Sequence, residues 1–338
     1  MDMHESIAVA IIDSGIARDI SIFQNKIIGG FSIFENDNKI LFDDKYDDSN
    51  GHGTACAYTI SKQCKYAKFF IIKILNTNGV SSSKKLLEAL KALKNINVKI
   101  INLSLSTLNN EYRKELFDIC EELKQQGKII VNSLRNNSRY SFPTMFSSVI
   151  GVKGVSFLTE KEYWFDSKKQ VQCLVDNTPI IYDKNCREHD IFYGNSKSTA
   201  LFTGILCGLL LNNKVNTFDE AVKLIKENAI RSKWNNIKKL NVLINREVHE
   251  SYKEFTKEQG SKIINILKEQ LKCEQMEDNM FYKYNLIDPI IGLNASNIIS
   301  VIKSIENQCN IKLDYEKISG RDFISIYDLL YMIHNNQE

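Results

Sequence analysis

Ile7-Ala8-Val9-Ala10-Ile11-Ile12-Asp13-Ser14-Gly15 is an apolar run of strand length that stops at a carboxylate and a turn. An unbroken run of this kind fits a strand covered on both faces, since a half-exposed strand alternates apolar with polar residues. Runs of the same character recur at residues 69–75, 99–103, 128–131 and 149–152, and helical apolar spacing fills residues 84–93 and 112–124 between them. Short buried strands alternating with amphipathic helices predict a doubly wound α/β domain, a parallel sheet with helices on both faces. The pattern changes near residue 248. Residues 250–274 form a highly charged helical stretch, and the remainder reads as short helices without a strand run. The expected division is an α/β domain over 1–247, a linker over 248–258 and a small all-α domain over 259–338.

A chain of 338 residues suits two domains at about 100–200 residues each. Hydrophobic residues make up 43% of it, enough for one large core and a smaller one, while 15 Gly, 3 Pro and the lack of low-complexity tracts exclude collagen-like and disordered classes. The 44 Lys and Arg against 41 Asp and Glu leave +3, a balance that makes no whole-chain case for nucleic acid or an anionic membrane. Residues 223–239 are basic but carry too few aromatics to stack bases, so they read as a solvated helix face. The N-terminal stretch shows no cationic segment followed by an apolar run and a small-residue cleavage site, and the longest apolar stretch, 203–211, is too short to span a bilayer. Eight Cys without a CxxC pair or a His at ligand spacing argue reduced thiols rather than zinc or disulfides. A cytoplasmic protein without membrane or nucleic-acid partners is the expectation.

Three short segments carry chemistry-bearing residues. Asp13-Ser14-Gly15 sits at the carboxyl end of the first strand, the edge where open α/β sheets present functional groups; an Asp there also caps turns. In Asn50-Gly51-His52-Gly53-Thr54-Ala55-Cys56 a His flanked by glycines precedes a helical pattern, which lets backbone approach the ring closely; a lone His is also an ordinary structural residue. Gly194-Asn195-Ser196-Lys197-Ser198-Thr199-Ala200 opens an apolar helix, where Ser serves equally as an N-cap.

Together, and in the order Asp, His, Ser, these segments resemble the subtilisin-like serine peptidases, the subtilases. The resemblance spans about residues 6–244 and extends to Ile101-Asn102-Leu103-Ser104-Leu105-Ser106, similar to the strand that binds extended substrate. Gly127-Lys128-Ile129-Ile130-Val131 leads into the loop where, by spacing before Phe142-Pro143, Asn136 matches the family's oxyanion Asn. The resemblance implies a subtilisin-like fold and a triad of Ser196 as nucleophile, His52 as base and Asp13 as the carboxylate orienting it, with Asn136 stabilising the oxyanion. It also implies substrate contacts from Ser104, Leu105, Ser106, Leu134, Arg135 and Phe142. Departures from the family pattern are Asn195, Lys197, Ser198 and Ala200 around the serine, none of which removes the hydroxyl, and Arg135 where the family has Gly beside its specificity pocket. A catalytically inactive scaffold that only holds peptide is the alternative. Secreted relatives carry a signal and a folding prodomain; here the sequence starts one strand ahead of the acid, implying folding without one.

The helical pattern of 259–338 resembles an acyl or peptidyl carrier protein of four helices, with a generic four-helix interaction module as the alternative. The position of the phosphopantetheine-bearing serine falls on Ala295, with Ser296 one residue away, so no prosthetic group or other cofactor is expected. A carrier-like module beside a peptidase implies a precursor peptide or maturation enzyme as its partner, with the peptidase removing a leader. The acidic run Asp43-Asp44-Lys45-Tyr46-Asp47-Asp48 is similar to the calcium sites of many subtilases but reads as a solvated loop, because no loop of binding length follows it, and no metal is expected.

Overall fold

The computed structural model describes residues 6–37, 39–157, 159–185, 188–234 and 257–336. The chain divides into two compact units, one of Met1–Asn177, Lys184–Arg187 and Tyr193–Leu240, the other of Thr178–Asp183, Glu188–Phe192 and Asn241–Glu338.

The first unit is built on strands β1 (Ile7–Asp13), β2 (Ile27–Asn36), β3 (Lys39–Asp43), β4 (Ala67–Lys73), β5 (Ile100–Leu103), β6 (Ile129–Ser133), β7 (Val149–Val155), β8 (Tyr163–Phe165) and β9 (Cys173–Asp176). They form one sheet in the order β3-β2-β4-β1-β5-β6-β7-β9-β8. Pairing is parallel from β2 to β9, and only the edge strands β3 and β8 run antiparallel. The carboxyl ends of β1, β5, β6, β7 and β9 therefore share one edge of the sheet, where functional groups of open α/β sheets collect.

Helices α1 (His52–Gln63), α2 (Ser83–Ala92), α3 (Arg113–Gln125), α4 (Gly194–Leu211) and α5 (Phe218–Asn228) complete the unit. Leu86, Leu87 and Leu90 of α2 and Leu116, Ile119 and Leu123 of α3 pack with Ala10, Ile12, Ile72, Ile101, Leu103 and Ile130 in one buried cluster. Side chains alternate across a strand, so Asn102 faces away from Ile101 and Leu103; there its Oδ1 accepts a hydrogen bond from Thr203 of α4 at 2.9 Å. Helix α4 thus covers the opposite face, packed against α1. Its buried Leu201, Phe202, Leu206 and Cys207 are what a helix enclosed on several sides requires. Helix α5 starts with a capping box, in which Thr217 and Glu220 satisfy each other's backbone N–H.

The five apolar runs read from the sequence all appear as sheet strands. The β2–β3 hairpin was not expected from periodicity, because Gly29-Gly30 interrupts its apolar run and its residues are largely half-exposed, as on an edge. Strands β8 and β9 were missed for their brevity.

The second unit contains α6 (Lys257–Leu271), α7 (Asp278–Lys283), α8 (Ile298–Cys309) and α9 (Ile326–Asn335) among its described residues. It also contains an antiparallel hairpin, β10 (Ile180–Asp183) and β11 (His189–Phe192), so it is not all-helical. Ile181 of β10 joins Ile264, Leu267, Phe281, Val301, Ile302, Ile305 and Leu329 in the unit's core. His189 stacks on Tyr315 at 4.1 Å, and Gly320 donates its N–H to the Pro179 carbonyl at 2.7 Å. The sequence division assigned this hairpin to 1–247; residue order hides it, because four-residue strands with polar ends carry no readable period. Of the expected linker, residues 248–256 lie outside the described residues and Lys257 opens α6. Helix α8 begins at Ile298, which leaves Ser296 exposed in the preceding turn, its hydroxyl donating to Asn294 Oδ1 at 2.6 Å. No helix among the described residues is long and apolar enough to cross a membrane.

Candidate active site

Strand β1 delivers Asp13, fully buried, to the carboxyl edge near the middle of the sheet. The chain then turns through Gly15 at φ 114°, a conformation that costs a side-chain-bearing residue but not glycine. The Ser14 N–H donates to Asp13 Oδ1 at 2.8 Å, and the Ser14 hydroxyl accepts the N–H of Gly53 at 2.8 Å. That contact brings α1 close to the turn: a Cβ at residue 53 would lie 3.1 Å from Asp13 Cβ. His52 is the first residue of α1, and its Nδ1 sits 2.8 Å from Asp13 Oδ1 and 3.0 Å from Oδ2.

The start of α1 is held by Asp48, which accepts the N–H groups of Asn50, Gly51 and Thr54 at 2.9, 2.8 and 2.9 Å and the Thr54 hydroxyl at 2.6 Å. Burial opposes its charge, yet these donors prevail and lower its pKa, as expected for a carboxylate at the positive end of a helix. The sequence placed Asp48 in a solvated acidic loop; its role is set by a turn that residue order does not reveal.

Burial disfavours a charged His52, but the neighbouring Asp13 carboxylate outweighs it and raises the imidazole pKa well above its ordinary value. One helical turn on, the Cys56 thiol donates to Asp13 Oδ2 at 3.7 Å. Burial, reinforced by the Asp13 charge, pushes that thiol up to about 11. Asp13, His52 and Cys56 have ligand atoms within 4.8 Å of one another, a set sized for a metal ion. Its chemistry suits a hydrogen-bonded cluster better, since a metal needs the thiolate that this environment resists.

Ser196 lies in the first turn of α4, the helix that begins at Gly194. Its hydroxyl donates to the Ser104 carbonyl at 2.9 Å, and the Ser104 hydroxyl donates to the Ser196 carbonyl at 3.3 Å. Ser104 in turn accepts from Asn102 Nδ2 at 3.1 Å, so a buried chain of polar groups runs from Thr203 through Asn102 to the serine turn. Asn136 Oδ1 accepts the Asn195 N–H at 3.4 Å, which orients its amide nitrogen away from that bond. Asn195 Oδ1 accepts the N–H of Gly154 and Asn195 Nδ2 donates to the Leu134 carbonyl, both at 2.7 Å.

His52, Ser104, Leu105, Ser106, Leu134, Arg135, Asn136 and Ser196 line one cavity of about 260 Å³, together with Asn50, Leu75, Gly79 and Ser133. Asp13 stands behind His52. Phe142 is not among the lining residues: it is buried against Phe146, ring centroids 5.5 Å apart, while its backbone pairs with Thr107. Its place in the α2–α3 core, rather than at the cavity, follows from the aromatic stack on that side of the sheet. Residues given no role in the site from sequence but bonded into it are Asp48, Cys56, Asn102, Asn195 and Thr203. A Cys four residues after the His on one helix face was the available signal for Cys56.

Comparison with known proteins gives a concordant picture. The profile of the subtilase family matches residues 4–260, about three quarters of the chain. Over 158 residues the chain is 28% identical to the thermostable alkaline protease of Halalkalibacterium halodurans, an alignment covering 44% of this chain and 41% of that protein. Over 219 residues it is 23% identical to the major intracellular serine protease of Bacillus subtilis, covering 60% of this chain and 67% of that one. The chain thus spans less than half of the first relative and about two thirds of the second. The crystal structure of a cold-adapted subtilisin-like serine proteinase superposes with a TM-score of 0.54 over 69% of this chain and 85% of that one, at 16% identity, a likeness of fold. With a matching profile over most of its length and this sheet order beneath it, the chain belongs to the subtilase family.

Proposed function

We propose that the protein is a serine endopeptidase in which Ser196 attacks the substrate carbonyl, His52 takes its proton and Asp13 holds the imidazole. The observation that carries this reading is the Asp13–His52 contact of 2.8 Å at a cavity that Ser196 also lines. A serine hydroxyl is a poor nucleophile until a base removes its proton during attack. With Nδ1–H donated to Asp13, His52 presents Nε2 as that base, and Asp13 stabilises the imidazolium that forms. For attack, the Ser196 hydroxyl must leave the Ser104 carbonyl and give its proton to His52 Nε2. Negative charge develops on the former carbonyl oxygen, where Asn136 Nδ2 and the Ser196 N–H are the available donors; first-turn N–H groups of a helix have no partner within it. His52 returns the proton to the leaving amine, and a water repeats the sequence to free the acyl group.

An extended peptide along Ser104-Leu105-Ser106, with one side chain near Leu134 and Arg135, is the substrate geometry this cavity suits. Removal of a leader from a ribosomally made precursor is the narrower reading. Its support is the helical unit on the same chain, whose carrier-like helix pattern fits a module that retains a precursor or maturation enzyme. The intracellular relative supports a cytoplasmic place of work. Incubation with a serine-directed phosphonate, followed by intact-mass measurement, tests the central assignment. One adduct on the wild type and none on Ser196→Ala is expected; an unmodified wild type would leave a peptide-binding scaffold.

A further inference from the structure

Lys197 follows the proposed nucleophile directly, and its side chain is fully buried. Its Nζ lies 2.9 Å from Oδ2 of Asp176, which is also fully buried, and 3.4 Å from Glu160 Oε1. Asp176 is the last residue of β9, and its Oδ1 accepts the Phe157 N–H at 3.1 Å. The Ser198 hydroxyl donates to the Asp176 carbonyl at 2.9 Å. The turn that carries Ser196 is thus tied down on both sides of it, by Asn195 to β7 and the end of β6, and by Lys197 and Ser198 to β9.

Two physical considerations say what the pair is for. A buried ion pair is a weak source of stability, because desolvating both charges offsets most of their attraction, and well-packed apolar residues often do as well. A cation in the first turn of a helix is further disfavoured by the helix dipole. Stability therefore does not account for an ammonium group at this position. Direction does: the pair fixes how the first turn of α4 is rotated and how far it stands from β9.

We infer that the Lys197–Asp176 pair is a positioning device, locking the turn of Ser196 so that its Oγ and N–H face the cavity. This rests on the peptidase reading above. Attack requires reacting atoms within a few tenths of an ångström of their working geometry, and a displacement of about 1 Å costs on the order of 10²-fold in rate. Asn195 and Ser198 still hold the turn when the pair is removed, so the loss is smaller than that limit.

The decisive protein is the double variant Lys197→Met/Asp176→Asn, which removes both charges and keeps an acceptor for the Phe157 N–H. Three quantities are compared with wild type: thermal unfolding, the second-order rate of phosphonate labelling at Ser196, and kcat and KM on a short peptide. The expected result is a folded protein with an unfolding temperature near that of wild type, labelling and kcat reduced about 10- to 100-fold, and KM within about twofold. A folded double variant with wild-type labelling and kcat overturns the positioning role while leaving the peptidase reading intact. A wild type that is never labelled overturns both. Should the double variant fail to fold, Asp176→Glu keeps the charges but lengthens the link by one methylene; kcat is then expected to fall severalfold at constant KM, and an unchanged kcat overturns the role.

Discussion

The two helices that bring His52 and Ser196 to one cavity begin in opposite electrostatic ways. Helix α1 starts over the Asp48 carboxylate, an anion at the positive end of the helix, which is the arrangement that stabilises a helix by itself. Helix α4 starts with a buried cation, Lys197, neutralised by carboxylates distant in sequence, Asp176 at the end of β9 and Glu160. The first start is satisfied within its own loop, so His52 is presented by local structure. The second is satisfied only when the sheet is assembled, so the orientation of Ser196 depends on tertiary contacts.

The largest effect separates chemistry from scaffold at the α4 end. Ser196→Ala is expected to lower kcat by about 10⁶, the magnitude known for subtilisin, with little change in unfolding temperature. Undiminished cleavage by that variant sinks the assignment of the nucleophile.

At the α1 end, Asp13→Asn is expected to lower kcat by about 10⁴, as the equivalent change does in a related triad, because the imidazole loses its tautomer and its counter-charge. The pH profile sharpens the point. His52 must be neutral to act as base, and its pKa is raised by Asp13, so the wild-type rate should climb with pH through a midpoint above 6.5. In Asp13→Asn that limb should move to lower pH; an unmoved limb would mean that Asp13 does not set the charge on His52. Stability has the opposite sign. A folded pKa above the unfolded one makes the Asp13–His52 pair stabilising below the unfolded value and progressively less so as pH rises through the folded one. Urea midpoints of wild type and Asp13→Asn across that range measure it.

Between the two helix ends, Asn136→Ala is expected to reduce kcat by about 10²–10³ with KM nearly constant, since an oxyanion donor acts mainly in the transition state. An equal loss in kcat and affinity would assign Asn136 to ground-state binding. Arg135, exposed on the cavity wall, is expected to favour Glu over Leu before the scissile bond, by a charge-assisted contact. Arg135→Gln should erase about a tenfold preference; no change in the Glu/Leu rate ratio would take Arg135 out of recognition. The smallest effect is at Asp48. Asp48→Ala should lower stability by about 0.5–2 kcal/mol, read from denaturant midpoints, while kcat falls only modestly, because α1 keeps its Asp13 and Ser14 contacts.

Much of this was legible because it is local. The run at residues 7–12, the Asp13 turn and the Gly-His-Gly pattern each carry their information within a few residues. Phe142 went wrong for the complementary reason. The family resemblance suggested a substrate contact, whereas the stack on Phe146 and the Arg113 guanidinium 4.7 Å from its ring hold it on the other side. Strands β10 and β11 belong to the helical unit although they lie in sequence between segments of the sheet unit, a membership that follows from Ile181 and Ile318 entering the same core.

The sequence by itself determined the alternation of strands and helices, the order of Asp13, His52 and Ser196, and the strand-end turn that holds the first of them. Periodicity and turn chemistry are properties of neighbours in the chain, so they survive without the fold. Tertiary structure alone decided that Cys56 donates to Asp13 and that Lys197 is neutralised by a carboxylate 21 residues upstream. A buried charge must find its partner in space, and that partner is chosen by which strand ends share an edge of the sheet.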